Sequence, residues 1–222
     1  MKVIISGYGK MGHMIEGVLQ RRGIELVCAS EDICAIPVEV ARESVCIDFT
    51  TPEAFRANYP TLAAHFKAVV VGTTGWYDIK DQVFAAFEVA GTPMIWGSNF
   101  SVGVISLFAG VARACQVLKG HGYTPHVEEI HHIHKLDAPS GTAKSIGVLI
   151  EDFLGQKPEI GSQRIGEVPG THIAEFTSGV DKLTFTHEAF SRQGFAEGAV
   201  DAALMTESLT GVHEFKDLVL SR

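Results

Sequence analysis

Long apolar runs are missing from this 222-residue chain. No stretch approaches the roughly 18 consecutive apolar residues of a membrane helix. The first run, Val3-Ile4-Ile5, stops at Ser6-Gly7, too short for the core of a signal peptide, so the expected location is the cytoplasm. Positive charge is also scarce. Eighteen Lys and Arg face 26 Asp and Glu, a formal charge of −8, which repels phosphate backbones and anionic lipid. Nucleic acid and membranes are therefore not expected as partners. Cysteine is sparse too, and Cys28, Cys34, Cys46 and Cys115 make no Cys-x-x-Cys pair. That excludes a disulfide scaffold and points to a reducing compartment, with the thiols expected as small apolar fillers.

What is present is an ordinary globular composition, 46% hydrophobic and 20% charged, which is neither disordered nor low-complexity. At about 150 residues per domain the length fits one large domain or two small ones. Short β-rich runs at Val3–Ser6, Glu25–Ala29, Val45–Phe49, Ala68–Val71 and Pro93–Trp96 alternate with helical patterns in the first hundred residues. The clearest helix carries Met11, Met14, Ile15, Val18 and Leu19 on one face, and others fit Pro52–Phe66 and Asp78–Ala90. Such alternation predicts a parallel sheet with right-handed crossovers, an α/β fold. Later, helices are expected over Val102–Leu118, Thr142–Phe153 and Gly194–Leu209, with period-two strands such as Lys182–Glu188, forming an α+β region. Gly155–Gly170, rich in Gly and Pro, reads as a long loop.

Gly7-Tyr8-Gly9-Lys10-Met11-Gly12 fits G-x-G-x-x-G, a pattern that carries weight only in context. Here it follows a strand, opens the best helix and precedes a second strand ending at Glu31-Asp32. Glu31 lies 19 positions beyond Gly12, the spacing at which a carboxylate meets the ribose hydroxyls of a dinucleotide. Gly7 permits the tight turn, Gly9 leaves room for the pyrophosphate, Gly12 lets helix and strand pack, and the helix start donates N–H groups to phosphate. Paired carboxylates without a nearby Arg repel a 2′-phosphate, so NADH is the expected cofactor. The turns Gly72-Thr73-Thr74-Gly75 and Gly97-Ser98-Asn99-Phe100 end further strands and belong beside the cofactor, because ligands bind at the carboxyl ends of parallel strands.

The densest chemistry runs from Glu128 to Ala143. His131, His132 and His134 fall within four residues, followed by Lys135 and by Asp137-Ala138-Pro139-Ser140-Gly141-Thr142. In an extended run His131, Ile133 and Lys135 share one face and His132 and His134 the other. Zinc is not expected, because neighbouring strand histidines diverge and no cysteine is close in sequence. The second half resembles a helix start, where Asp or Ser can cap, Pro suits the first turn and small Ser140-Gly141-Thr142 leave N–H groups bare. With Lys135 and the histidines this makes an anion site suited to a small carboxylate. Imidazole or amine can also supply a proton to the charge left by a hydride. The residues thus point to a nicotinamide-dependent reductase of a small anion.

These segments, with Asp48-Phe49-Thr50, Val71–Trp76, Ser98–Val104 and above all Ile130–Ala143, resemble the 4-hydroxy-tetrahydrodipicolinate reductase (dihydrodipicolinate reductase) family of lysine and diaminopimelate biosynthesis. The resemblance implies a dicarboxylate substrate, His131 and Lys135 as catalytic residues, and His132, Ser140, Gly141 and Thr142 as substrate contacts. It maps cofactor contacts onto Gly7–Gly12, Glu31, Gly72–Thr74 and Gly97–Phe100, and a weaker cleft-lining role onto Ser191-Arg192. It also implies a Rossmann domain over 1–99 and 197–222, and a substrate and oligomerisation domain over 100–196 that builds a homotetramer. The sixteen residues between Glu31 and Asp48 suggest a trimmed crossover, while Asp32 favours NADH and leaves NADPH open. Rival readings are another Rossmann reductase, such as an amino-acid dehydrogenase, and a module that senses NADH without turnover.

Overall fold

The computed structural model describes residues 1–221, which form two compact units: Met1–Val102 with the described residues from Gln193 onward, and Gly103–Arg192. In chain order the first segment runs β1 (Lys2–Ser6), α1 (Lys10–Arg21), β2 (Glu25–Ser30), α2 (Val38–Arg42), β3 (Ser44–Asp48), α3 (Pro52–His65), β4 (Ala68–Val71), α4 (Lys80–Ala90) and β5 (Met94–Trp96). There follow α5 (Val102–Leu118), β6 (Thr124–His131), α6 (Gly141–Leu154), β7 (Glu159–Arg164), β8 (Gly170–Thr177) and β9 (Lys182–Ala189). The chain ends with α7 (Gln193–Met205), β10 (Val212–Glu214) and α8 (Phe215–Leu220).

The first unit is built on a six-stranded parallel sheet in the order β10-β5-β4-β3-β1-β2. The chain moves outward from β1 to β2, then returns to the other side of β1 for β3. That reversal opens a crevice at the carboxyl ends of β1 and β3, where the glycine-rich turn and Asp48-Phe49-Thr50 lie. The inner strands β1, β3, β4 and β5 are buried on both faces because helices cover both. Ile4, Cys46, Val69, Val71 and Met94 pack against Phe55, Leu62, Val83 and Phe87 of α3 and α4. Elsewhere in this unit α7 packs on α1, β3 and β4. The Thr51 hydroxyl accepts from the Ala54 N–H at 3.2 Å and Pro52 follows it, which sets the start of α3.

The second unit holds a four-stranded sheet, β7-β6-β8-β9, in which β6 and β7 are parallel and the other pairs antiparallel. The parallel pair needs a crossover, and α6 supplies it. Val127, Ala174 and Phe176 join Ile146 and Ile150 of α6 and Leu107, Val111 and Cys115 of α5 in its core.

The fold departs from the sequence expectations in several places. Gly155–Gly170 is no uniform loop, because β7 lies inside it. Glu-Ile-Gly-Ser-Gln-Arg is a polar edge strand with no inner row of apolar residues, so alternation could not reveal it. The short crossover after β2 holds a 3₁₀ turn and α2, while β10 and α8 were not anticipated at all. Cys34 is exposed rather than a core filler. The His-rich run is extended only as far as His131. Beyond it the chain turns, with the Lys135 N–H donating to the His132 carbonyl at 3.1 Å, so strand alternation does not govern residues 132–135.

Candidate active site

In the first unit the three motif glycines occupy three different environments. Gly7 has φ of +83°, and a Cβ there would stand 2.6 Å from the Phe49 carbonyl oxygen. At Gly12 it would stand 2.6 Å from the Gly7 carbonyl oxygen, so the helix rests directly on the turn. At Gly9 it would meet nothing within 4 Å. No side chain caps α1, whose first N–H groups are left for a ligand. An open cradle at an uncapped helix start fits a dinucleotide pyrophosphate. The Tyr8 N–H donates to Glu31 Oε1 at 2.8 Å, which draws that carboxylate to the turn. Tyr8 itself folds back, its hydroxyl on Glu16 and its ring 4.0 Å from that of His13. Lys10 and Met11 open α1. Asp32 caps the following 3₁₀ turn, accepting from the Cys34 N–H at 3.1 Å.

The neighbouring strand ends are tied together by a buried carboxylate. Asp48 accepts from the hydroxyls of Ser6 (2.7 Å), Thr73 (2.5 Å) and Thr50 (3.1 Å). Burial pushes its carboxyl above the usual range, and those three donors oppose the shift. Gly72 lies under the Phe49 ring, which a side chain there would strike. Thr74 and Ser98 are exposed, Gly97 is buried, and Asn99 accepts from the Ser101 N–H at 2.8 Å. Phe100 is a core residue in this unit, stacked on Phe215 with ring centroids 4.8 Å apart. Only its backbone remains for the cofactor contact expected of it.

In the second unit the His-Lys segment gathers at the end of β6 and the start of α6. Ser140 is the N-cap, its hydroxyl accepting from the Ala143 N–H at 3.2 Å, whereas Pro139 precedes the cap instead of sitting in the first turn. The helix start is less bare than the sequence suggested. Asp137 faces the Gly141 N–H and pairs with Lys135 Nζ at 2.7 Å, and Lys135 holds the Asp137 carboxyl below its usual range. The chain's own carboxylate thus stands on two donors of the proposed anion site. Thr142 follows, half-buried, while His132 keeps a buried Nδ1 with no partner among the described residues. His134 is exposed and reaches Glu167 at 3.2 Å.

His131 is buried, its Nδ1 on the carboxylate of Glu129. Burial lowers its pKa below 6.5, outweighing the opposite pull of Glu129. Further groups from three other strand positions surround it. Arg164 on β7 pairs with Glu129 at 2.9 Å. His172 on β8 sets its ring 5.1 Å from that of His131 and its Nε2 3.2 Å from the Ser140 hydroxyl, and burial, aided by His131, brings its pKa down to about 4. His187 on β9 stands opposite His172. Glu129 could have been found, because Glu-x-His on a strand puts both side chains on one face. Arg164 and His172 are distant in sequence and carried no local signal. Among the described residues no cluster of His, Cys, Asp and Glu has metal-binding geometry, and no helix is long and apolar enough to cross a membrane.

Comparison with known proteins now decides the lineage. The pattern of the dihydrodipicolinate reductase N-terminus matches residues 1–100, and that of its C-terminus matches residues 103–219. The chain belongs to the dihydrodipicolinate reductase family. A 4-hydroxy-tetrahydrodipicolinate reductase of Christiangramia forsetii is 35% identical over 233 aligned positions, covering 99% of this chain and 98% of the relative. One of Methanopyrus kandleri is 35% identical over 204, covering 83% and 74%. The dipicolinate-bound dihydrodipicolinate reductase of a Paenisporosarcina species shares the fold, with a TM-score of 0.81 at 21% identity over 98% of this chain and 99% of that one. An aspartate dehydrogenase of Thermotoga maritima is more distant, at a TM-score of 0.50 and 11% identity over 94% and 97%. The chain is accordingly an NAD(P)H-dependent oxidoreductase of lysine and diaminopimelate biosynthesis, with a Rossmann-like parallel sheet and a second mixed sheet.

Proposed function

We propose that the dinucleotide binds to the part of the chain comprising 1–99 and 197–222, and that 4-hydroxy-tetrahydrodipicolinate binds to residues 100–196. The C4 hydroxyl leaves as water to give the conjugated imine, and NAD(P)H, when bound, would supply a hydride to C4 of that imine. Lys135, His132 and the start of α6 at Ser140, Gly141 and Thr142 hold the carboxylates and so fix the acceptor carbon. As the electron pair moves toward nitrogen, a proton is delivered to C3 by His131 or by Lys135. The observation that carries this reading is the convergence of an ammonium, imidazoles and a helix start within one segment.

NADH is the preferred cofactor. Supporting this, Glu31 hangs on the Tyr8 N–H beside the glycine-rich turn. The basic residues preceding it in sequence, Arg21 and Arg22, are taken up by Glu197 and Asp201. The enzyme is read as a cytoplasmic homotetramer built through the second unit. In favour stand four unbridged cysteines and a strand β9 that is exposed along much of its length. Steady-state oxidation of NADH and NADPH, with freshly made hydroxytetrahydrodipicolinate against oxaloacetate plus ammonia, tests the assignment. Turnover only with the second pair of substrates would reject it, and light scattering tests the tetramer.

A further inference from the structure

Glu129 stands two residues before His131 on the inward row of β6 and is wholly buried. One of its oxygens meets His131 Nδ1. The other takes the Arg164 guanidinium at 2.9 Å and the Ser140 N–H at 3.3 Å. Arg164 donates in turn to the carbonyls of Lys135, at 3.2 Å, and Asp137, at 2.5 Å. Two side chains therefore touch three points of the segment: the His131 imidazole, the turn that carries Lys135, and the Ser140 cap of α6. A buried carboxylate stripped of its cation is strongly destabilised, so each depends on the other.

We propose that Glu129 and Arg164 are the positioning pair of this reductase site. Glu129 holds the His131 ring by Nδ1, leaving Nε2 for proton exchange, and Arg164 holds the backbone that presents Lys135 and leads into α6. The proposal rests on the assignment of His131 and Lys135 as the proton-handling groups. An acceptor at Nδ1 sets the tautomer, so the neutral ring carries its hydrogen there. The other groups facing His131 are Lys135 from the following turn, Arg164 from β7 and His172 from β8, with His187 of β9 behind His172. Among these groups Glu129 alone is an anion.

The test combines imidazole ¹⁵N NMR of the full chain with kinetics. In Glu129→Gln the amide can donate to Nδ1, so the neutral ring should carry its hydrogen on Nε2. Turnover should fall about 100-fold with NADH affinity unchanged, and the ionisation in the pH profile of kcat/KM should move to lower pH. Glu129→Asp keeps the charge and should bring that ionisation back. Arg164→Gln should leave the tautomer alone and raise KM for the dicarboxylate about tenfold. A wild-type tautomer and pH profile in Glu129→Gln, or a wild-type KM in Arg164→Gln, would overturn the proposal. If Glu129→Gln does not fold, the wild-type spectrum decides, since hydrogen on Nε2 there is equally fatal. Full activity in His131→Ala removes the underlying assignment instead, while the NMR still reports separately on how Glu129 holds the ring.

Discussion

The Thr73 hydroxyl donates to the buried carboxylate of Asp48 across 2.5 Å, binding the end of β4 to the end of β3 at the mouth of the parallel sheet. Thr73→Val removes that donor and leaves the carboxylate short of a partner, at an expected cost of about 1–3 kcal/mol. Urea denaturation measures the loss. The same variant should raise KM for NADH, because the turn it loosens is a proposed cofactor contact.

His131→Ala should lower turnover by about 10²–10⁴-fold while leaving NADH affinity nearly unchanged. The pH profile separates the two proton donors. With His131 as donor, kcat/KM falls as pH rises through a value below 6.5, since burial lowers the imidazole pKa. A profile that stays level there would reject the imidazole as the donor. Full activity in the alanine variant would reject His131 as an acid.

The Glu31 carboxylate should set the cofactor ratio. Replacing it with alanine removes a charged acceptor for the ribose hydroxyls, worth about 1.5–3 kcal/mol, and should cost kcat/KM for NADH roughly ten- to a hundredfold. NADPH should lose less. A preference of wild type for NADPH above about tenfold would contradict the roles given to Glu31 and Asp32.

Asp137 competes with the substrate for Lys135 and for the Gly141 N–H. Asp137→Asn should therefore tighten binding of a pyridine dicarboxylate roughly two- to fivefold, the range of a half-exposed ion pair. Calorimetry reads the change directly, and weaker binding would show that Asp137 holds the turn in place instead.

His172 should make the protein sensitive to acid. Its folded pKa of about 4 lies below the ordinary 6.5, so the folded state binds fewer protons than the unfolded chain. Its contribution to stability is complete above pH 6.5 and is lost as pH falls toward 4, on the order of 3 kcal/mol in all. His172→Asn should flatten the stability profile across that window. An unchanged slope would place the acid sensitivity on other groups.

The inner strands of the parallel sheet were legible because they are apolar on both faces and glycines mark their turns. Ala68–Val71 and Val102–Leu118 lie where periodicity placed them. Strand β7 was hidden because an edge strand facing water needs no apolar row. The turn after His131 was hidden as well, because the carbonyls that shape it are held by Arg164, 29 residues beyond Lys135.

Local order in the chain was enough to determine the glycine-rich turn and its helix, the carboxylate 19 positions on, and the grouping of His131, Lys135 and Ser140, since each depends on neighbours a few residues or one crossover apart. Tertiary structure alone decided that Arg164 and His172 surround that group. Those contacts follow from strand pairing and burial, which join distant residues through packing that no single stretch of sequence encodes.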